Sequence, residues 1–350
     1  MLSKNFWKNK KVLITGNTGF KGSWLTIHLL EKGAKIVGIS KKEKKGLFLF
    51  NFLKLNKKIH QYYFNIQEYD KIKKILKKEK PDIIFHLAAQ PIVSLSYKDP
   101  INTLSTNIIG TINILEAIRF SKKKLSMINI TTDKVYKQSH LKPFKEIDSL
   151  GGNDIYSASK ASSDLITMSY FQSFFKKDNK IGVATARAGN VIGGFDWSKN
   201  RIIPDAINAA FDNKKLNIRM PKSVRPWQHV LDVVNGYVVL AEKLYNKPSK
   251  FSEAWNFGPN SSSNKNVITL ANNLNKQLDK KFDVIFQKGN FHEEKSIRLN
   301  SKKSIIKLNW KPIFDFKKTI KLTAEIYNLY YKNVLKYHDF QKQIRLINNF

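Results

Sequence analysis

Short apolar runs closed by glycine, proline or charge recur through the first half of the chain. They are KVLIT (Lys11–Thr15), KIVGIS (Lys35–Ser40), YYF (Tyr62–Phe64), DIIFHL (Asp82–Leu87), LSMINI (Leu125–Ile130) and IGVATA (Ile181–Ala186). Each reads as a β-strand. Between them, Phe20–Lys32, Tyr69–Lys78, Ile101–Phe120 and Ile155–Phe175 have the length and spacing of helices. Strands alternating with helices predict an α/β fold, a doubly wound parallel sheet covered on both faces. After about residue 190 the rhythm breaks into stretches rich in Gly, Pro, Asn and Trp, with helices among them. The expected division is a first domain over residues 1–188, to which later segments return, and a smaller lobe over residues 189–350. That lobe is expected to stand over the carboxyl ends of the strands.

The stretch ITGNTGFKGSW follows the first predicted strand and opens the first predicted helix. Its Gly16, Gly19 and Gly22 are spaced G-x-x-G-x-x-G. Glycines there permit a tight turn and let backbone N–H groups approach a pyrophosphate at the positive end of a helix. In this strand–turn–helix setting they predict a Rossmann-type dinucleotide-binding domain. The residues expected to contact the cofactor are Gly16, Thr18, Gly19, Phe20 and Gly22 in the turn, Ser40 at the end of the second strand, Asn65 and Ile66 after the third, and Leu87, Ala88 and Ala89 in HLAAQ after the fourth. Ser40 stands where an acid often binds the adenosine ribose, and Lys41 and Lys42 beside it would tolerate a 2′-phosphate. NAD and NADP therefore both stay open on the residues alone.

In NDIYSASKASSD, Tyr156 and Lys160 are four apart and share one helix face. A phenol with an ordinary pKa near ~10 is a poor base at neutral pH, and a neighbouring ammonium favours its phenolate. Thr132, at the end of the strand in INITTDKVY, is the candidate for holding a substrate hydroxyl. The same strand end sets Asp133 directly beside Lys134, an acid next to a cation where a buried strand emerges.

These residues resemble the extended short-chain dehydrogenase/reductase family. With GNTGFKGSW, TTDKVY, GGNDIYSASK, RAGNVIGGFDW, RIIPD, VRPWQHVLDVVNGY and EAWNFGP, the chain from about residue 10 to 260 resembles the CDP-glucose 4,6-dehydratases within it. The resemblance implies NAD as cofactor, CDP-glucose or a related nucleotide sugar as substrate, a homodimer or homotetramer, and a product destined for deoxysugars of surface polysaccharide. It also implies roles. Tyr156 takes the proton of the sugar's 4-hydroxyl as carbon 4 is oxidised, Lys160 lowers the tyrosine's pKa, and Thr132 orients the hydroxyl. Asp133 acts as acid on the departing 6-hydroxyl. Lys134, where the related dTDP-glucose enzymes carry a second carboxylate, either removes the carbon-5 proton or steadies the enolate as a cation. A nucleotide-sugar 4-epimerase or dehydrogenase, or a dehydratase for another nucleotide sugar, would share Tyr156 and Lys160. A cofactor-sensing binding protein on the same fold would have no need of that pair.

Composition narrows the alternatives. Hydrophobic residues make up 42% of the chain, aromatic residues 12%, and cysteine is absent. Disulfides, thiol catalysis and cysteine-ligated metals are excluded, and a reducing compartment fits. No apolar signal core or membrane-length run is present, so a cytoplasmic protein without membrane insertion is the default. No histidine or carboxylate cluster has metal spacing, and no metal is expected. The net charge of +35 would attract polyanions non-specifically. However, the 55 lysines are scattered through every segment, so no specific nucleic-acid partner is expected. The seven arginines carry more information, because four fall between Arg187 and Arg225. Arginine suits bidentate phosphate contacts. The expected substrate contacts are Gln90, Asn190, Arg201, Arg225 and His229, with Trp197 and Trp227 as candidate walls. Arg187, at a strand end, either reaches phosphate or anchors the loop.

Overall fold

The computed structural model describes residues 5–42, 46–137, 142–198, 200–286 and 297–348. Seven strands form one sheet: β1 (Lys11–Thr15), β2 (Lys35–Ser40), β3 (His60–Tyr63), β4 (Ile83–His86), β5 (Leu125–Ile130), β6 (Ile181–Arg187) and β7 (Ala254–Asn256). Their order is β7-β6-β5-β4-β1-β2-β3, and every pairing is parallel. The chain runs outward from β1 in one direction and from β4 in the other. That reversal opens a crevice beyond the carboxyl ends of β1 and β4.

Nine helices are named here: α1 (Phe20–Glu31), α2 (Tyr69–Glu79), α3 (Gly110–Arg119), α4 (Ile155–Tyr170), α5 (Ile202–Phe211), α6 (Val230–Asn246), α7 (Val267–Gln277), α8 (Phe316–Tyr331) and α9 (Tyr337–Asn348). The period-two geometry of strands explains how both sheet faces are covered. Val12, Ile14, Phe85 and Ile128 point into a core shared with α1 and α6. Leu13, Ile84 and Met127 point the other way, onto Ile72 of α2 and Ile114 of α3. A second core lies in the smaller lobe, where Ile203 and Ile207 of α5 meet Leu270 and Leu274 of α7 and Ile320 of α8.

Two differences from the sequence reading have physical causes. The predicted strand Tyr62–Phe64 begins instead at His60, because an edge strand next to β2 needs backbone pairing more than an apolar run. The predicted helix Ile101–Phe120 is interrupted by a wide turn at Ser105–Ile109. There, buried Asn107 donates to the Gln90 carbonyl and to Ser159 Oγ, at 3.2 and 2.9 Å. After residue 188, α6 and β7 join the layers of the large sheet.

The C-terminal helix is part of the first domain's packing. Phe340 of α9 is fully buried, with its ring centroid 5.2 Å from that of Trp24 in α1. Gln341 Nε2 donates to both carboxylate oxygens of Glu31, at 2.9 and 3.0 Å. Trp24 Nε1 donates in turn to the Gly194 carbonyl at 3.1 Å, which joins α1 to the loop leading into the smaller lobe. The helix that opens the glycine turn is thereby held from three sides.

Candidate active site

β1 ends at Gly16, whose φ of +73° lies in the left-handed region that favours glycine. Its N–H donates to the Ile39 carbonyl at 2.7 Å. A Cβ at Gly16 would lie 2.7 Å from Ala88 N, and one at Gly22 only 2.2 Å from the Gly16 carbonyl oxygen. Gly19 differs, because a Cβ there would meet only the Gly16 carbonyl oxygen among the described residues, at 3.4 Å. Two glycines let the turn close, and the middle one keeps its outer side open. Gly19 also caps α1 without a side-chain bond, which leaves first-turn N–H groups for an anion. A pyrophosphate fits this cradle.

The other expected cofactor residues line the neighbouring strand ends. Thr18 is buried and Phe20 half-buried. Leu87 N and Ala88 N donate to Thr15, at its carbonyl and its hydroxyl respectively, and Ala89 follows them half-buried. Ser40 Oγ accepts from Gln61 Nε2 at 3.2 Å, while Gln61 Oε1 accepts from Asn17 Nδ2 at 2.6 Å. Asn17 Oδ1 is buried with no hydrogen-bond partner among the described residues. Asn65 Oδ1 caps the Gln67 N–H at 3.2 Å, and Ile66 packs so tightly on Gly110 that an added Cβ would lie 2.4 Å from it. Asn17 and Gln61 escaped the sequence reading because neither breaks a local pattern.

Beyond β5, Thr132 caps a single helical turn at Asp133–Val135. Its Oγ1 donates to Asp133 Oδ1 at 3.0 Å and accepts the Lys134 N–H at 3.4 Å. Asp133 is 4% exposed. Burial raises its pKa, opposed by Lys134, the Thr132 hydrogen bond, Lys21 and Arg225. Net, the neutral acid is favoured more than in an ordinary aspartate. Lys134 itself is half-buried beside that carboxyl.

α4 presents Tyr156 and Lys160 toward the same strand end. Asp154 fixes its start, accepting from the Ser157 N–H at 2.9 Å and the Ser157 hydroxyl at 2.6 Å. Burial pushes the Tyr156 phenol up to about 12, against the lowering influence of its hydrogen-bonding neighbour Thr132 and of Arg201. Lys160 Nζ donates to the Ile130 carbonyl at 2.8 Å. Burial, then Lys21, brings that ammonium down to about 8. The expected lowering of the tyrosine by Lys160 is not what this structure has. Burial dominates the phenol, Lys160 is not among the groups that act on it, and the ammonium is tethered to the strand end.

The smaller lobe contributes unevenly. Arg225, on the short strand Val224–Pro226, acts electrostatically on Asp133, and Arg201 acts on Tyr156. Arg201 Nη1 also donates to Asp196 Oδ2 at 3.3 Å. Asn190 adopts φ +44°, and its carbonyl accepts the Gln228 N–H at 3.3 Å. Gln90 is buried, with Nε2 on Thr103 Oγ1 and Oε1 on the Ile92 N–H, so its amide mainly braces its own loop.

His229 requires correction. It is fully buried between Trp24 and Phe314, and its Nδ1 caps α6 through the Leu231 N–H at 3.2 Å. Burial holds its pKa down to about 3, as a packed neutral cap rather than a phosphate ligand. Trp227 is buried in the second core, and Trp197 is half-buried against both cores, so neither stands as a free wall. Arg187 is the loop anchor, because Nε and Nη2 grip Asp164 at 2.9 and 2.7 Å in the interior. Breaking such a buried pair typically costs about 3–5 kcal/mol, so the guanidinium is committed to the fold.

Two further residues at this site were missed. Lys21 lies on the first turn of α1, and burial followed by Arg201 lowers its ammonium to about 8, while Asp133 and Asp196 oppose the shift. Among 55 lysines nothing marked it out. Gly189 follows β6, where an added Cβ would fall 1.8 Å from Asp133 Oδ2. Its meaning depends on a carboxyl 56 positions earlier.

Residues 13–323 match the family described as GDP-mannose 4,6 dehydratase. The chain belongs to that family. A CDP-glucose 4,6-dehydratase of Salmonella typhimurium is 38% identical over 326 residues, 91% of each chain. Solved structures agree with this chain in architecture. That of dTDP-glucose 4,6-dehydratase from Bacillus anthracis in complex with NAD has a TM-score of 0.77 at 24% identity, covering 96% of this chain and 99% of that one. A UDP-glucuronic acid 4-epimerase from Bacillus cereus, in complex with UDP-glucuronic acid and NAD, has a TM-score of 0.79 at 24% identity and covers 92% and 100%. Among the described residues no helix is long and apolar enough to cross a membrane. No group of three or more His, Asp or Glu among them could hold a metal ion.

Proposed function

We propose that this chain is a hydro-lyase that converts CDP-glucose to CDP-4-keto-6-deoxyglucose with NAD as an internally recycled cofactor. The observation that carries the reading is Asp133, a buried carboxyl biased toward its neutral form and set between Thr132 and Lys134. A 4-epimerase on the same fold would need Tyr156 and Lys160 but no acid at carbon 6. The family match supports a nucleotide-sugar substrate, and the Salmonella relative supports cytidine.

The turn from Gly16 to Gly22 would hold the pyrophosphate of NAD, with Ser40 at the ribose end and Lys160 at the reactive end. Bound there, NAD would accept hydride from carbon 4 of the sugar and return it to carbon 6. Tyr156 Oη takes the proton of the 4-hydroxyl while Thr132 orients that hydroxyl. The resulting ketone acidifies carbon 5, and Lys134 takes the carbon-5 proton and later returns it. Asp133 gives its proton to the departing 6-hydroxyl. Arg225 and Asn190 are assigned to the diphosphate side of the substrate, and Arg201 to the edge of the pocket near Tyr156.

The same reading brings a cytoplasmic location and self-association as a homodimer or homotetramer. Exposed Tyr97, Ile101 and Leu165, around α4, are the surface proposed for that contact. The product would feed deoxysugar synthesis.

The deciding experiment incubates the purified chain with CDP-glucose and NAD, following product mass and NADH absorbance together. Loss of one water without lasting NADH is expected. Accumulating NADH without water loss would mean a dehydrogenase, and turnover only with another nucleotide sugar would move the substrate. A second expectation concerns Gly189. Gly189→Ala should push the Asp133 carboxyl aside and slow water loss by about 100-fold, the scale of a 1 Å misplacement. Carbon-4 oxidation in a rapid-mix NADH trace should continue. Equal loss of both steps would show that Gly189 serves the fold and not the acid.

A further inference from the structure

Asp133 and Lys134 lie on the segment from Thr131 to Tyr136, which leaves β5 and makes a single helical turn. How that segment is held fixes where the proposed acid stands relative to Tyr156, and the inference rests on the reaction proposed above. α4 grips the start of the segment. Lys160 Nζ donates to the Ile130 carbonyl at 2.8 Å, and one turn further along Asp164 Oδ2 accepts from Thr131 Oγ1 at 2.9 Å. Tyr156, Lys160 and Asp164 follow one another at intervals of four, so the proposed base and both grips share one stripe of the helix. Arg187, at the end of β6, holds the far end. Its Nε and Nη2 are on Asp164, and its Nη1 donates to Tyr136 Oη at 2.8 Å. Tyr136 Oη donates in turn to Asn256 Oδ1 on β7 at 2.7 Å. Thr131, Tyr136, Asp164 and Arg187 are all buried.

We propose that Asp164, Arg187 and Tyr136 are positioning residues for the water-loss step. Through them α4, which carries Tyr156, sets the register of the segment that carries Asp133 and Lys134. A guanidinium suits the task. Its planar fork pairs with both carboxylate oxygens and still sends an N–H to a third acceptor, which a point-like ammonium cannot do. Asp164 is fully engaged, since its two oxygens accept from Thr131, from Thr185 and twice from Arg187. A shift of α4 or of the β6 end is therefore felt at both ends of the segment.

The two ends serve different steps. Thr132, which orients the 4-hydroxyl, directly follows the end held by α4. Asp133 and Lys134 lie nearer Tyr136, and their own backbone bonds are long: the Asp133 N–H reaches the Ala188 carbonyl at 3.3 Å, and the Lys134 N–H reaches Thr132 Oγ1 at 3.4 Å. Beyond them the Val135 carbonyl accepts the Gly151 N–H at 2.8 Å. Losing the Tyr136 hydroxyl thus loosens the turn under the acid without freeing it, and leaves Tyr156 on its helix undisturbed.

The test uses two variants. Tyr136→Phe keeps the ring that stacks on Phe144 and removes only the hydroxyl. Arg187→Lys keeps a cation against Asp164 but cannot serve Tyr136 as well. The NAD-loaded full chain is rapidly mixed with CDP-glucose, and NADH absorbance and product mass are followed together. In each variant water loss should slow by about 10-fold, less than the about 100-fold of a 1 Å misplacement. Carbon-4 oxidation should keep its rate, so the NADH transient grows taller and lasts longer. Combining the two should slow water loss no further than the slower single variant, because both remove the same hydrogen bond. A side chain serving stability alone would slow both steps alike. A second readout needs no turnover: amide exchange across Asp133–Val135 should quicken in Tyr136→Phe, while that of α4 around Tyr156 stays as in the wild type. Should Arg187→Lys not fold, Tyr136→Phe and its exchange decide the matter. Equal slowing of both steps, undiminished water loss in Tyr136→Phe, additive losses in the combined variant, or unaltered exchange would overturn the proposal. If the wild-type chain does not convert CDP-glucose at all, the functional reading fails, while the exchange arm still judges whether Tyr136 holds the segment.

Discussion

Asp133→Asn abolishes water loss while carbon-4 oxidation survives, so NADH absorbance rises and stays. Asparagine matches the carboxyl in size and can still accept from the Thr132 hydroxyl that now lies 3.0 Å from Oδ1. It cannot deliver a proton to a leaving oxygen. A positioned general acid contributes about 10²–10⁴-fold, and water loss should fall by that scale. The substitution should not unfold the chain. The folded pKa of Asp133 is raised, so the ionised carboxyl opposes folding at pH values above its ordinary unfolded value, and a neutral side chain removes that cost. A melting temperature equal to or above the wild type at neutral pH, with oxidation intact, is the expected pair of results. In the wild type, the water-loss step should weaken as pH rises through the elevated pKa of Asp133. If water loss continued undiminished in the variant, Asp133 would not be the acid.

Tyr156→Phe stops the sequence one step earlier. Neither NADH nor dehydrated product should form, with a fall of about 10²–10⁴-fold in the oxidation rate. Phenylalanine keeps the ring in its buried place and removes only the oxygen that takes the 4-hydroxyl proton. With the phenol pushed up to about 12, the structure holds Tyr156 protonated near neutrality. Wild-type oxidation should therefore speed up as pH rises, and the residual rate of Tyr156→Phe should lose that dependence. The contrast with Asp133→Asn is the informative part: one variant blocks both signals, the other only the second. Persistent NADH formation in Tyr156→Phe would assign the base elsewhere.

The motifs legible in the chain were those whose chemistry is local. A glycine turn between a strand and a helix has one main geometric use, and Gly16 needs its positive φ whatever surrounds it. Tyr156 and Lys160 share a helix face by spacing alone. His229 and Arg187 were harder, because a histidine or arginine at a strand end has the same sequence signature whether it caps, pairs or binds. Their partners decide the matter: Leu231, Trp24 and Phe314 for one, Asp164 for the other. Lys21 was hidden by the lysine-rich composition.

The sequence by itself determined the parallel sheet, the nucleotide turn and the juxtaposition of Thr132, Asp133 and Lys134, because alternation, glycine spacing and chain adjacency are short-range properties. Only the tertiary structure decided how those groups are charged and which neighbours serve them. Burial of Asp133, the space left by Gly189, the approach of Arg225 and the placing of Lys21 bring together residues up to 204 positions apart in the numbering. A protonation state answers to the dielectric and the charges around a side chain, and those are set when distant segments pack.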